Sequence, residues 1–278
     1  MIWSERQLTD RIEAESKKRG LSLSQLQLLL AQERFLARIA ASPERDNFIW
    51  KGGSLILRLY AHRMPKPRFT VDVDLLVRGF SIGDVTEYFE RIIEMDLEDG
   101  FLFFNVRKTP LIRETPYGGE RYSIDWRFFK KPQSHVLRVD VCAGDDVTEQ
   151  KITTKKAFFL SDPSELVLNI YPKEFIFSEK LETCCRFGTG NTRLKDFIDM
   201  WGLIRMGMDV SCVKVAIKRC FGRRKVSAEP GKWQAILNDK EFAEIMEEQR
   251  KRRYVELGIP PVQKLFGEIS GYLLKLYS

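Results

Sequence analysis

The chain has 278 residues, 44% hydrophobic and 31% charged, which is enough apolar content for a sizeable core and excludes wholesale disorder. At ~150 residues per domain, the length suits two domains. The net charge of +7 is compatible with a polyanionic partner without arguing for one, and apolar runs such as 28–31 fall far short of the ~18 residues a membrane span needs. The charged start is no signal peptide. Five cysteines, at 142, 184, 185, 212 and 220, have no paired spacing, and with only His62 and His135 no zinc pattern assembles. These features predict reduced thiols in a cytoplasmic protein. A histidine-centred hydrolase is unsupported, because neither histidine lies beside a nucleophile motif.

Residues 4–42 read as two helices. Leu8 and Ile12 mark an apolar stripe on the first, Gly20 ends it, and Ser22 caps a second run over 23–41. Phe48-Ile49-Trp50 is a short apolar strand that runs into Lys51-Gly52-Gly53-Ser54 and a helical stretch over 55–60. A basic, proline-bearing loop at 61–68 leads into 69–77, whose alternation predicts a strand. Residues 82–95 read as a helix. Aromatic and β-branched content rises from about 97 to 142, with a turn at Gly118-Gly119 and a strand over 135–142 that breaks at Gly144-Asp145-Asp146. A polar connector covers 147–156. From about 162 the period is helical, over 164–171, 174–187, 193–206, 210–221, 239–257 and 261–277, with Pro260 and Pro261 dividing the last two. The composition shift near 160 predicts two domains, 1–160 and 161–278.

Several groups of residues carry candidate chemistry. Gly52, Gly53 and Ser54 lie between a strand and a helix, where glycines let a ligand approach the backbone and the helix start offers N–H groups to a phosphate. The same residues also suit an ordinary turn, and no Walker sequence is present. Asp72 and Asp74, two apart on a strand, share a face at ~6.6 Å, opposite Val71, Val73 and Leu75. Like charges so placed favour a cation between them; a solvated strand face is the alternative. Asp140 shares a face of its strand with Arg138 and Cys142. A third carboxylate suits Mg²⁺, which takes carboxylates plus substrate phosphates, whereas an Asp140–Arg138 pair would simply neutralise it.

In the helical half, Glu174, Phe177, Lys180, Leu181 and Cys184 follow helical spacing, which puts Lys180 at the edge of a buried stripe. Such a lysine either meets a phosphate or is desolvated, unless it snorkels to solvent. Arg193 and Lys195 are helix-end charges able to grip phosphate at a cleft mouth. Residues 193–225 hold nine basic and three acidic residues. Lys214 and Lys218, followed by Arg223-Arg224-Lys225, suit a solvated basic helix or a surface that grips RNA.

The combination of strand, Gly-Gly-Ser and helix, then Asp-x-Asp on the next strand and a third Asp on a later one, resembles the nucleotidyltransferase superfamily of DNA polymerase β. Residues 48–54, 68–76, 138–145, and 171–182 with 191–199 more closely resemble the AbiEii/AbiGii-type toxin nucleotidyltransferases of toxin–antitoxin and phage-defence systems, over roughly 35–207. The resemblance implies an α+β fold: a small mixed β-sheet core flanked by helices, with a mainly α-helical C-terminal region completing the active-site cleft. It implies that Gly53 and Ser54, beside Gly52, hold a nucleoside triphosphate and that Asp72, Asp74 and Asp140 bind Mg²⁺ or Mn²⁺. Lys180 matches the lysine that meets the triphosphate, with Arg193 nearby. Asp199 matches a later acidic motif, and Asp196 lies close to it. The implied activity is transfer of a nucleotide from an NTP to RNA, at the 3′ end of tRNA, which blocks translation; the implied partner is a cognate antitoxin. Two other functions fit the same residues: an RNA- or protein-binding module that has lost its chemistry, and an enzyme that nucleotidylates a partner protein.

Overall fold

The structure, a computed structural model, describes residues 4–60, 68–79, 84–111, 119–129, 131–143, 153–155 and 167–277. Two units divide the chain: Met1–Arg58 with Phe69–Ile170, and Leu59–Arg68 with Tyr171–Ser278. The first opens with helices α1 (Glu5–Arg19) and α2 (Leu23–Ala41). Each is capped by a serine hydroxyl while a glutamine three residues on accepts the serine N–H. Then follow β1 (Phe48–Lys51), α3 (Gly52–Tyr60), β2 (Asp72–Val77), α4 (Asp84–Ile93), β3 (Phe101–Pro110), β4 (Glu120–Phe128), β5 (His135–Ala143), β6 (Thr153–Lys155) and β7 (Leu168–Ile170).

The strands form one seven-stranded mixed sheet in the order β3-β4-β5-β2-β1-β7-β6. β2 runs parallel to β5 and β1 parallel to β7, and the other neighbours are antiparallel. One face is buried under an aromatic layer. Tyr122, Ile124, Trp126 and Phe128 of β4 alternate into it. Phe89 of α4 meets Tyr122 edge-on at 4.8 Å, and Phe48 stacks on Tyr88 at 4.4 Å.

Helix α2 is buried on nearly all sides, which places Gln32, Glu33, Arg34 and Arg38 inside the protein. Buried charges must be paired, and here the pairs fasten neighbouring segments. Glu33 meets Arg58 of α3 at 3.4 Å, and Arg58 also donates to Gln32 and to the carbonyls of Leu29 and Ser54. Gln32 donates to the Val71 carbonyl at 3.0 Å, one residue before β2. Arg34 and Arg38 converge on Asp99 at 2.7 and 2.9 Å, just before β3.

The second unit is helical: α5 (Lys173–Phe187), α6 (Leu194–Arg205), α7 (Val210–Arg224), α8 (Pro230–Asn238), α9 (Lys240–Arg253) and α10 (Val262–Tyr277). Phe197, Phe242 and Phe266 pack together at 5.0–5.8 Å and join α6, α9 and α10. Among the described residues no helix is long and apolar enough to cross a membrane. None of the five cysteines is in a disulfide.

The α+β architecture expected from the sequence is present, with three corrections among its elements. Residues 164–171 read as helical, yet Leu168–Ile170 is a strand paired in parallel with β1. Leu168 and Ile170 are buried and Asn169 is not, a period of two that three residues are too few to reveal. The polar connector contains β6, which pairs with β7. Helix α8 is absent from the sequence reading, because Pro230 at its first turn looks like a breaker although that position needs no N–H. Residues 61–67 with His62, Gly118, 144–152 and 164–166 lie outside the described residues.

Asp99→Ala is expected to lower the unfolding free energy by about 3 kcal/mol, since two buried arginines lose their partner; urea denaturation measures it. Burial alone would raise the Asp99 pKa, but Arg38 and then Arg34 hold it below its ordinary value. The contribution is therefore present above the unfolded pKa of ~3.9 and is lost as pH falls through the folded value. Wild-type stability should decline more steeply on acidification below about pH 4 than that of the variant.

Candidate active site

Four strands each bring one charged residue to a single level of the sheet. Lys51 pairs in register with Asp74, Asp74 with Asp140, and Asp140 with Arg121. The row across β1, β2, β5 and β4 therefore reads cation, anion, anion, cation. Two residues earlier on β2, Asp72 lies opposite Arg138. Val73, Leu75, Val139 and Val141 are buried on the other face, and the strand period of two turns the three carboxylates away from it.

Asp140 is itself buried, and both its oxygens accept from Arg121, at 2.7 Å from Nε and 2.9 Å from Nη2. Arg121 Nη2 also lies 3.8 Å from Asp72 Oδ2. The hydrogen bonds to Asp140, and then the charges of Asp140, Asp72 and Asp74, raise the Arg121 pKa against the opposing effect of burial. The neutralising partner of Asp140 is thus Arg121 of β4; Arg138, its neighbour in sequence, is exposed.

Hard carboxylate oxygens on adjacent strands are the donors Mg²⁺ or Mn²⁺ takes, usually one or two of them with substrate phosphates and water. Asp72, Asp74 and Asp140 fit that chemistry. Among the described residues no three His, Cys, Asp or Glu side chains form a ready-made cage, and Arg121 holds both oxygens of Asp140.

Gly52 follows β1 with φ 71°, and the Asp74 carboxylate fills the space where a side chain would begin. Glycine is required there both for the left-handed backbone and for the close approach. Gly53 follows in the first turn of α3. Ser54 is fully buried, and its hydroxyl accepts the Trp50 indole N–H at 2.8 Å. Its side chain shapes the turn, which leaves the backbone of Gly52 and Gly53 as the part of this segment suited to a phosphate.

Lys180, Asp196, Asp199, Arg193 and Arg68 meet in the second unit. Lys180 Nζ lies 3.0 Å from Asp196 and 2.8 Å from Asp199. Arg68 forks onto Asp199 at 2.6 and 2.8 Å, and Arg193 reaches Asp196 at 3.0 Å. The sequence leaves a phosphate partner, desolvation or a snorkelling role open for this lysine; in the structure two aspartates meet it. Burial would lower the Lys180 pKa, but Asp196 and Asp199 raise it. Burial would raise the Asp199 pKa, but Arg68 and then Lys180 hold it well below the carboxylate range. Lys195, half-buried beside these cations, has its pKa lowered by burial and by repulsion from Arg193 and Arg68.

Over residues 34–263 the chain matches the family described as the nucleotidyl transferase AbiEii toxin of Type IV toxin–antitoxin systems. The protein belongs to the AbiEii family. The matched region contains both charged clusters, and the family implies an antitoxin partner. No curated protein matches the chain. Among solved structures, the AbiEii-family chain is similar in fold to a candidate nucleotidyltransferase from H. pylori, with a TM-score of 0.58 and 13% identity over 92% of this chain and 96% of that one. The JHP933 protein of Helicobacter pylori aligns with a TM-score of 0.48 and 13% identity over 90% and 91% of the two chains.

Sequence reasoning missed Arg121 and Lys51 as members of the acidic site, since only strand register reveals them. Arg68 did carry a signal, because it opens the stretch that contains Asp72 and Asp74. Gly52→Ala is expected to cost about 2 kcal/mol or more in thermal denaturation, from the strained backbone and the displaced Asp74 carboxylate. Gly53, whose φ is not in the left-handed region, should tolerate alanine at less than half that cost.

Proposed function

We propose that this AbiEii-family protein transfers a nucleotide from a nucleoside triphosphate to the 3′ end of tRNA, using Mg²⁺ or Mn²⁺ held by Asp72, Asp74 and Asp140. The observation that supports this most is the alignment of Asp74 with Asp140 on adjacent parallel strands, with Gly52 against Asp74 at the start of α3. When bound, the cation supplies charge neutralisation at the phosphoryl oxygens. Asp72, Asp74 and Asp140 would hold it, and Asp140 would also take the proton of the acceptor hydroxyl as general base. The Gly52 and Gly53 backbone receives phosphate at the helix start.

Lys180 is assigned the departing pyrophosphate on the strength of the family resemblance. Asp199 acts as a positioning residue that holds Lys180 and Arg68 in place, and Asp196 does the same for Lys180 and Arg193. Capped tRNA ends would stop translation in the cytoplasm, and the cognate antitoxin would relieve that effect.

Incubation with each α-labelled triphosphate, Mg²⁺ and total tRNA tests the reading. Wild-type protein should label tRNA, and Asp74→Asn or Asp140→Asn should reduce labelling at least roughly a hundredfold. Label on a partner protein with unlabelled tRNA would move the acceptor. RNA binding without any transfer would leave a binding module.

The RNA acceptor predicts a basic surface on the second unit. Lys214, Lys218 and Lys225 are exposed. Arg224 is excluded, because it pairs with buried Glu182 at 2.6 Å and would destabilise the helices if reversed. Changing Lys214, Lys218 and Lys225 to Glu is expected to lower tRNA labelling about tenfold at moderate salt. It should also flatten the salt dependence of RNA affinity, because fewer counterions are released. Nitrocellulose filter binding across a salt series measures the slope.

A further inference from the structure

We infer that Arg121 is a built-in counter-ion of the acidic site, holding Asp140 in place until a divalent cation and nucleotide displace it. The inference rests on the reading of Asp72, Asp74 and Asp140 as a divalent-cation site. Three observations carry it. Both oxygens of buried Asp140 are taken by the Arg121 fork, and Asp72 lies within reach of the same guanidinium. The described residues contain no ready-made three-ligand cage, although the sheet register sets Asp74 beside Asp140. Arg121 keeps 35% of its side chain exposed against 6% for Asp140, so the arginine can leave without disturbing the core whereas the carboxylate cannot.

The charges favour exchange over coexistence. Asp72, Asp74 and Asp140 face Lys51, Arg121 and Arg138 across the sheet, which leaves the face balanced. With Arg121 withdrawn the face is net negative, which favours an incoming cation. A buried carboxylate deprived of this cation would be destabilised, so the arginine stands in while the ion is away. Once released, its planar fork suits a phosphate as well as it suited the carboxylate. Arg121 thereby becomes available to the triphosphate in the same step that frees Asp140.

Mn²⁺ titration followed by electron paramagnetic resonance, without nucleotide, tests this on the wild-type protein, Arg121→Gln and Arg121→Lys. Removing the competitor should tighten Mn²⁺ binding roughly tenfold in Arg121→Gln, and Arg121→Lys, which keeps the charge without the fork, should fall between. In EDTA, Arg121→Gln should melt below the wild type, and saturating Mn²⁺ should raise its melting temperature by more. If Arg121→Gln fails to fold, the shift in Arg121→Lys decides. Equal or weaker Mn²⁺ binding in the folded variants, with the wild type still binding, would make Arg121 a purely structural partner and leave the cation site standing. Absence of Mn²⁺ binding in all three proteins, with or without a nucleoside triphosphate, would overturn the cation-site reading and this inference together.

Discussion

Two carboxylates at the same level of neighbouring parallel strands repel one another, and the sheet-bearing unit is organised around that repulsion. Like charges a few ångströms apart cost on the order of several kcal/mol near a protein surface, a sizeable fraction of a domain's stability. Asp74 and Asp140 are nevertheless fixed side by side, because the flanking Val73, Leu75, Val139 and Val141 are buried on the opposite face and a slip of one residue would reverse both faces. The register that protects the core creates the charge problem. Lys51 and Arg121, one on each side of the pair, compensate for it.

The second constraint is α2. A helix buried on almost every side ought to be apolar, yet this one encloses Glu33, Arg34 and Arg38. Burying such charges is expensive unless every one is paired and hydrogen-bonded, and a hydrophobic helix of similar volume would serve stability as well. The gain is in position. The Glu33–Arg58 pair fixes α3, Gln32 fixes the entry to β2, and Asp99 fixes the entry to β3. Two of these three segments carry Gly52 and Asp72, so the scaffold for the acidic site is electrostatic as well as apolar.

The acidic residues were legible in the sequence because their signal is local: Asp72 and Asp74 are two apart in an alternating strand, and Asp140 sits in another. Their counter-ions were not. Arg121 reaches Asp140 across an antiparallel ladder whose turn residues give no register, so the nearer Arg138 looked equally suitable. The same limit hid the partners of Lys180, which come from the next helix, and the bond between Arg68 and Asp199, which lie 131 residues apart. Long helices such as α2 and α10 declared themselves by period. Strand β7 did not, because three residues carry too little pattern to outweigh helical neighbours. Pair formation between distant charges is decided by tertiary packing, which composition and periodicity do not encode.

The cluster around Lys180 shows how such packing changes a residue's meaning. Alone, a lysine at the edge of a buried stripe would lose its proton or turn to solvent. Here Asp196 and Asp199 keep it charged, while Arg68 pairs with Asp199 and Arg193 with Asp196, so each ion's burial depends on the next. Counting Lys195, the group holds four cations against two anions, and the Lys195 pKa is lowered by burial first and then by repulsion from Arg193 and Arg68. A closed network of equal charges would need no ligand. Here positive charge is in surplus, and Arg193 at the exposed edge is a forked donor of the kind that suits phosphate oxygens. Lys180 is therefore held charged by aspartates without its environment being neutralised by them.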